Sequence, residues 1–148
     1  MMELNVKLQK LRDNAVIPAY ATPGSAAVDL CAAIDTDIEI LPGCRTPIPT
    51  GLAMDPGCAD AVALIYARSG LGCKHGITPA NCVGVIDSDY RGEIVVCLQN
   101  HSDKPFTVHP GDRVAQMLFS PVLHASFTVC QDLSETERGA GGFGSTGI

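Results

Sequence analysis

Pro-Gly occurs four times in this chain, at Pro23-Gly24, Pro42-Gly43, Pro56-Gly57 and Pro110-Gly111, and the pairs cut it into short segments. Proline fixes φ and removes a donor, and glycine admits the left-handed conformations of tight turns, so such pairs end elements rather than continue them. Between them the pattern is that of strands. Val6 and Leu8 alternate with Asn5, Lys7 and Gln9; Ile38 and Ile40 flank Glu39; Phe127 and Val129 flank Thr128. Period two with one apolar face predicts half-exposed strands. Ala61 to Ala67, Ile94 to Leu98 and Val114 to Phe119 are denser β-branched runs, as expected of strands covered on both faces or at a subunit contact. One helix signal stands out at 69–74, with Ser69 as the expected N-cap and two glycines limiting its length. The expected fold is all-β, a jelly-roll-like sandwich or closed barrel with one short helix.

With 148 residues and 46% hydrophobic side chains, the chain predicts one compact domain. The absence of Trp leaves the core to Val, Ile, Leu, Ala and Met. A net charge of −6 removes the basic footprint of a nucleic-acid binder, while a small anion can still bind locally. No apolar run approaches the roughly 18 residues of a membrane span, and Met-Met-Glu-Leu-Asn-Val-Lys is no secretion signal, so a cytoplasmic protein is expected. Seven cysteines without a C-x-x-C pair indicate neither a disulfide framework nor a zinc knuckle, and predict small buried thiols. From Leu133 to Ile148 there is no apolar periodicity but much glycine, which predicts a flexible arm reaching up to about 50 Å.

Several familiar motifs fail on context. Gly142 to Gly147 spells G-x-G-x-x-G, yet neither a preceding strand nor a following helix frames it. Asp87-Ser88-Asp89 could begin a calcium loop, but Arg91 and Leu98 stand where further ligands belong. The four histidines show no ligand spacing.

Five segments remain that packing does not explain: 26-AAVDLCA-32, 67-ARSGLG-72, 81-NCVGVIDSDYRGEI-94, 111-GDRVAQ-116 and 138-RGAGGFGSTG-147. Arg68, Ser69 and Gly70 set a guanidinium, a hydroxyl and a close-approach glycine at the start of a short helix, a seat for phosphate. The 81–94 segment reads as a hairpin bent near Gly84 and Gly92, with a pocket between its strands able to show backbone N–H and C=O groups to a flat heterocycle. Asp87, a carboxylate able to orient a water and accept its proton, is the candidate general base for a water nucleophile.

In order and spacing the five segments closely resemble the motifs of the homotrimeric dUTP pyrophosphatases, or dUTPases, from about residue 19 to the C-terminus. The resemblance implies hydrolysis of dUTP to dUMP and pyrophosphate by attack on the α-phosphorus, which keeps dUTP low and supplies a thymidylate precursor. It implies uracil recognition by Asn81, the turn glycine Gly84, the backbone of Val85, Ile86 and Asp87, and the returning strand near Val95. Tyr90 would pack under the deoxyribose. Arg68, Ser69, Gly70 and Gln116 would contact phosphate, and Asp29 would meet Mg²⁺, through water. Arg113 is given a structural role. Arg138, Phe143, Gly144, Ser145 and Thr146 of the arm would close over the base and γ-phosphate. A homotrimer is implied, each site drawing on three chains, with residues 1–132 as the barrel and 133–148 as the arm. Two positions depart from the family pattern: Ala27 for a common glycine and Ala67 for the usual proline. A dCTP deaminase, for which Glu93 would serve near the pocket, and a non-catalytic nucleotide-binding module are the competing readings.

Overall fold

The computed structural model describes residues 3–142. Among these residues the order is β1 (Lys7–Lys10), β2 (Val28–Cys31), β3 (Ile38–Ile40), β4 (Arg45–Pro49), β5 (Leu52–Asp55), β6 (Ala61–Tyr66), α1 (Ser69–His75), β7 (Ile77–Pro79), β8 (Gly84–Ile86), β9 (Val95–Asn100), β10 (Phe106–Val108) and β11 (Arg113–Pro121). The pairings are antiparallel. One sheet runs β2-β11-β6-β8 and a second β4-β9-β7, with β1-β5 and β10-β3 as two-stranded ribbons. This is the jelly-roll-like β architecture expected from the turn spacing.

The core lies between the sheets. Leu30, Ile65 and Met117 from the first and Ile48, Ile77 and Leu98 from the second are almost fully buried. Burial of this apolar surface, at roughly 25 cal/mol per Å², is the main stabilising term. β6 and β9 alternate buried and half-buried or exposed positions. Their dense apolar runs are therefore covered fully on one face only in this chain. Asn100, fully buried, is a polar hub: its Nδ2 donates to the carbonyls of Ile40 (2.8 Å) and Lys104 (2.7 Å), and its Oδ1 accepts from Ser102 N (2.9 Å) and Oγ (2.8 Å).

The helix starts where the sequence indicates, but Arg68 occupies the N-cap without a side-chain capping bond, and Ser69 is the first helical residue. Arg68 lacks a short acceptor to cap with, and its guanidinium is committed elsewhere. Gly76 ends the helix at φ 67°, its N–H donating to Gly72 O at 3.1 Å, the left-handed stop that glycine permits.

Three further expectations are corrected. The 81–94 segment is not a paired hairpin: β8 joins β6 and β9 joins β4 and β7, so residues 87–94 carry the chain from one sheet to the other. No strand forms at 126–129, because the apolar alternation there has no neighbour in the same chain; Phe127 is 93% and Val129 100% exposed. The cysteines are not buried: Cys44, Cys58, Cys73, Cys82 and Cys130 are exposed, while Cys31 and Cys97 are half-buried. The exposed five lie in turns, the helix and the extended C-terminal stretch, where packing does not reach them.

Candidate active site

Register places Asp29 of β2 opposite Gln116 of β11, and Gln116 opposite Tyr66 of β6, in one row across the first sheet. A bulge interrupts β11 between Arg113 and Ala115. Strict alternation would put Arg113 and Gln116 on opposite faces; the extra residue lets both turn outward while Val114 and Ala115 stay in the core. Two cations converge on one carboxylate as a result. Arg68 Nε donates to Asp29 Oδ1 at 2.7 Å and Arg113 Nη1 to Oδ2 at 3.3 Å, while Arg68 Nη1 also reaches the Arg113 carbonyl at 3.3 Å. Arg68 and Asp29 are half-buried and Arg113 exposed; these three charges sum to +1, and Asp112 borders the same two guanidiniums. Gln116 Nε2 uses one proton on the Ala67 carbonyl at 2.8 Å, which leaves its second amide proton for a ligand.

Beside this row lies a cleft of about 670 Å³ lined by, among others, Ser25, Asp29, Tyr66, Ala67, Cys82 and Gln116. Both residues that depart from the family pattern, Ala27 and Ala67, line it. A second, smaller cavity of about 240 Å³ is bordered by Arg68, Asp112 and Arg113.

The other group of candidate residues surrounds β8. Asn81 is exposed, and its Nδ2 lies 3.6 Å from where a Cβ on Gly84 would stand; that Cβ would also meet Ile65 Cβ at 3.0 Å, so Gly84 lets β8 close on β6. Val85 is exposed, Ile86 half-buried and Asp87 exposed at the start of the crossing loop. Tyr90 N–H donates to the Asp87 carbonyl (3.1 Å), and Tyr90 Oη to the Glu93 carbonyl (3.1 Å). Arg91, which sequence reasoning gave no role here, fastens the loop: its Nη1 donates to Ser88 O (2.7 Å) and its Nη2 to Asp55 Oδ1 (2.8 Å). Its only signal in the sequence is one cation inside an otherwise acidic turn. Val95 is exposed at the head of β9.

Within one chain the two groups do not meet. Along β6, Gln116 stands at Tyr66 and Ile86 at Ala63, so Asp87 lies four residues further on, about 13 Å at roughly 3.3 Å per residue. Arg138 lies apart as well, on the exposed C-terminal stretch, its Nε donating to Gly141 O at 2.9 Å. Phe143, Gly144, Ser145 and Thr146 are outside the described residues. Glu93 is engaged: it accepts from Arg12 Nε (2.8 Å) and the Gly51 N–H (2.8 Å), and the Arg12 contact holds its carboxyl below the usual carboxylate range. A carboxylate so occupied is poorly suited to the proton transfers of a deaminase.

The dUTPase family model matches residues 13–147. The chain belongs to the dUTPase family. Across its whole length it is 50% identical, over 150 residues and 99% of the relative, to the deoxyuridine 5'-triphosphate nucleotidohydrolase of Desulfitobacterium hafniense. The enzyme of that name from Photorhabdus laumondii is 46% identical over 99% of this chain and 98% of its own. Among solved structures, the Staphylococcus bacteriophage 80alpha dUTPase with dUPNHPP superposes with a TM-score of 0.89 at 22% identity, covering 97% of this chain and 99% of that one. A mutant dUTPase from phage phi11 of S. aureus, described with a structural Mg(II) ion, gives 0.80 at 18% identity over 88% of this chain and 99% of that one. These structural likenesses carry the fold. The dUTPase membership gives the five segments, four of them glycine-bearing, a common reason, which none has alone.

Proposed function

We propose that this chain hydrolyses dUTP to dUMP and pyrophosphate, with Asp87 orienting a water and taking its proton as the water attacks the α-phosphorus. The observation that carries this reading is full-length identity of 50% to a deoxyuridine 5'-triphosphate nucleotidohydrolase. The geometry supports the allocation of roles. Asp87 is solvent-facing on a loop pinned by Arg91, as a base that must hold water requires. Asn81 and the β8 backbone through Asp87, with Val95 beyond, would present donors and acceptors to uracil; a close fit there rejects cytosine by mismatched partners and thymine by its methyl group. Tyr90 would bound the sugar. Arg68, held through Asp29 by the structural Arg113, with Ser69, Gly70 and the second proton of Gln116, would take the phosphates.

Among the described residues no group of three or more His, Cys, Asp or Glu could hold a metal ion. Both Asp29 oxygens already accept from arginines. This donor set fits a Mg²⁺ carried chiefly by substrate oxygens, with Asp29 touching its water shell. When bound, the ion would neutralise phosphate charge and make the α-phosphorus more electrophilic.

The offset of about 13 Å along β6 between Gln116 and Asp87, which also lie on opposite sides of that strand, supports a homotrimer in which one site takes Asp87 and Tyr90 from one copy and Asp29, Arg68 and Gln116 from another. The exposed Leu123, Phe127, Val129 and Leu133 give a second copy apolar surface to cover. The arm, residues 133–148, would supply Arg138, Phe143, Gly144, Ser145 and Thr146 as the lid of a third. A chain ending at Thr136 is expected to keep its oligomeric mass and melting temperature in light scattering and calorimetry. Loss of the base-stacking contact alone, worth about 1–3 kcal/mol, predicts a kcat/KM at least roughly 10-fold lower, and loss of Arg138, Ser145 and Thr146 with it lowers it further.

Pyrophosphate release with Mg²⁺ across dUTP, dTTP, dCTP and UTP tests the reaction. Release from dUTP alone is the expected result. Ammonia from dCTP, or tight dUTP binding without pyrophosphate, would overturn it.

A further inference from the structure

Gly92 is half-buried in the loop between β8 and β9, and its φ lies outside the left-handed region. Backbone conformation therefore gives no reason for glycine at this position. The reason is the ring of Tyr90. A Cβ on Gly92 would collide with Tyr90 Oη and stand 2.6 Å from its Cζ and 3.0 Å from its Cε2. The ring is folded back over the backbone of residue 92, with its hydroxyl tied to the Glu93 carbonyl at 3.1 Å. Tyr90 as a whole is nonetheless 44% exposed.

We propose that Gly92 is a specificity-determining position: its missing side chain seats the Tyr90 ring, and the seated ring sets which sugar the site admits. This rests on the assignment of Tyr90 to the deoxyribose. Carbon atoms need about 3.5–4.0 Å of separation, so a methyl group at residue 92 must displace the ring by roughly 1 Å. Backbone lies beneath the ring and solvent above it, so the displacement is outward and breaks the tether to Glu93. A tethered aromatic is a rigid wall against a 2′-hydroxyl; an untethered one yields to it.

The test is the ratio of kcat/KM for dUTP over UTP. Gly92→Ala is expected to lower it about tenfold or more. Tyr90→Phe, which removes the tether but keeps the ring, should lower it a few-fold, and provides the second readout should Gly92→Ala fold poorly. In a Tyr90→Ala background, adding Gly92→Ala should change the ratio no further, because no ring remains to displace. An unchanged ratio in Gly92→Ala and in Tyr90→Phe, with a collapsed ratio in Tyr90→Ala, would overturn the seating role of Gly92. A retained ratio in Tyr90→Ala would instead overturn the assignment of Tyr90 beneath it.

Discussion

Asp87→Asn is expected to bind a non-hydrolysable dUTP analogue about as tightly as the native protein while releasing pyrophosphate some 10²–10⁴-fold more slowly. The amide keeps the shape of the carboxylate and can still hold a water, but it cannot accept the proton that attack liberates. Asp87 makes no side-chain hydrogen bond or ion pair among the described residues, so the substitution breaks no structural contact there. Calorimetric titration beside a turnover assay separates the two effects. Native-like turnover would remove Asp87 as the base.

The largest effect on stability is expected at Asn100. Its side chain satisfies two backbone carbonyls, a backbone N–H and a hydroxyl from a fully buried position between β3, β9 and the turn at 101–104. Asn100→Leu leaves the Ile40 carbonyl without its side-chain donor in the core. At about 1–3 kcal/mol for each stranded group, the loss should reach roughly 3 kcal/mol or more. In a domain of this size that lowers Tm by about 10 °C, readable by calorimetry. A shift under 2 °C would show that water replaces the amide at little cost, at roughly 3–4 °C per kcal/mol.

Much of the fold was legible because its signals are local. Ile38–Ile40 alternates and is a strand; the β-branched run Ala61–Tyr66 is a strand, β6, though fully covered on one face only in this chain; Pro-Gly pairs fall at turns. The residues proposed for phosphate were legible as types, since Arg68, Ser69 and Gly70 share one short helix start. What escaped depends on partners distant in the chain. Turn residues at 87–94 announce a reversal without saying which sheet the next strand joins. The pairing of Asp29 with Arg68 and Arg113 spans 39 and 84 residues and has no local signature. Thr128 and its apolar neighbours alternate as a strand should, but a strand needs a neighbouring edge. Cysteine count carried no information on depth, because exposure follows the element on which each residue falls.

The distance along β6 between Gln116 and Asp87 has a genetic consequence if sites are completed between copies. Asp87 and Arg68 of one chain would then serve different sites, so lesions carried by different chains can fall together on one site and spare another. A cell expressing both defective forms would assemble some undamaged sites, so the two alleles should complement each other. Either lesion beside the normal form would be partly dominant, because each faulty chain spoils a site it shares with a sound neighbour.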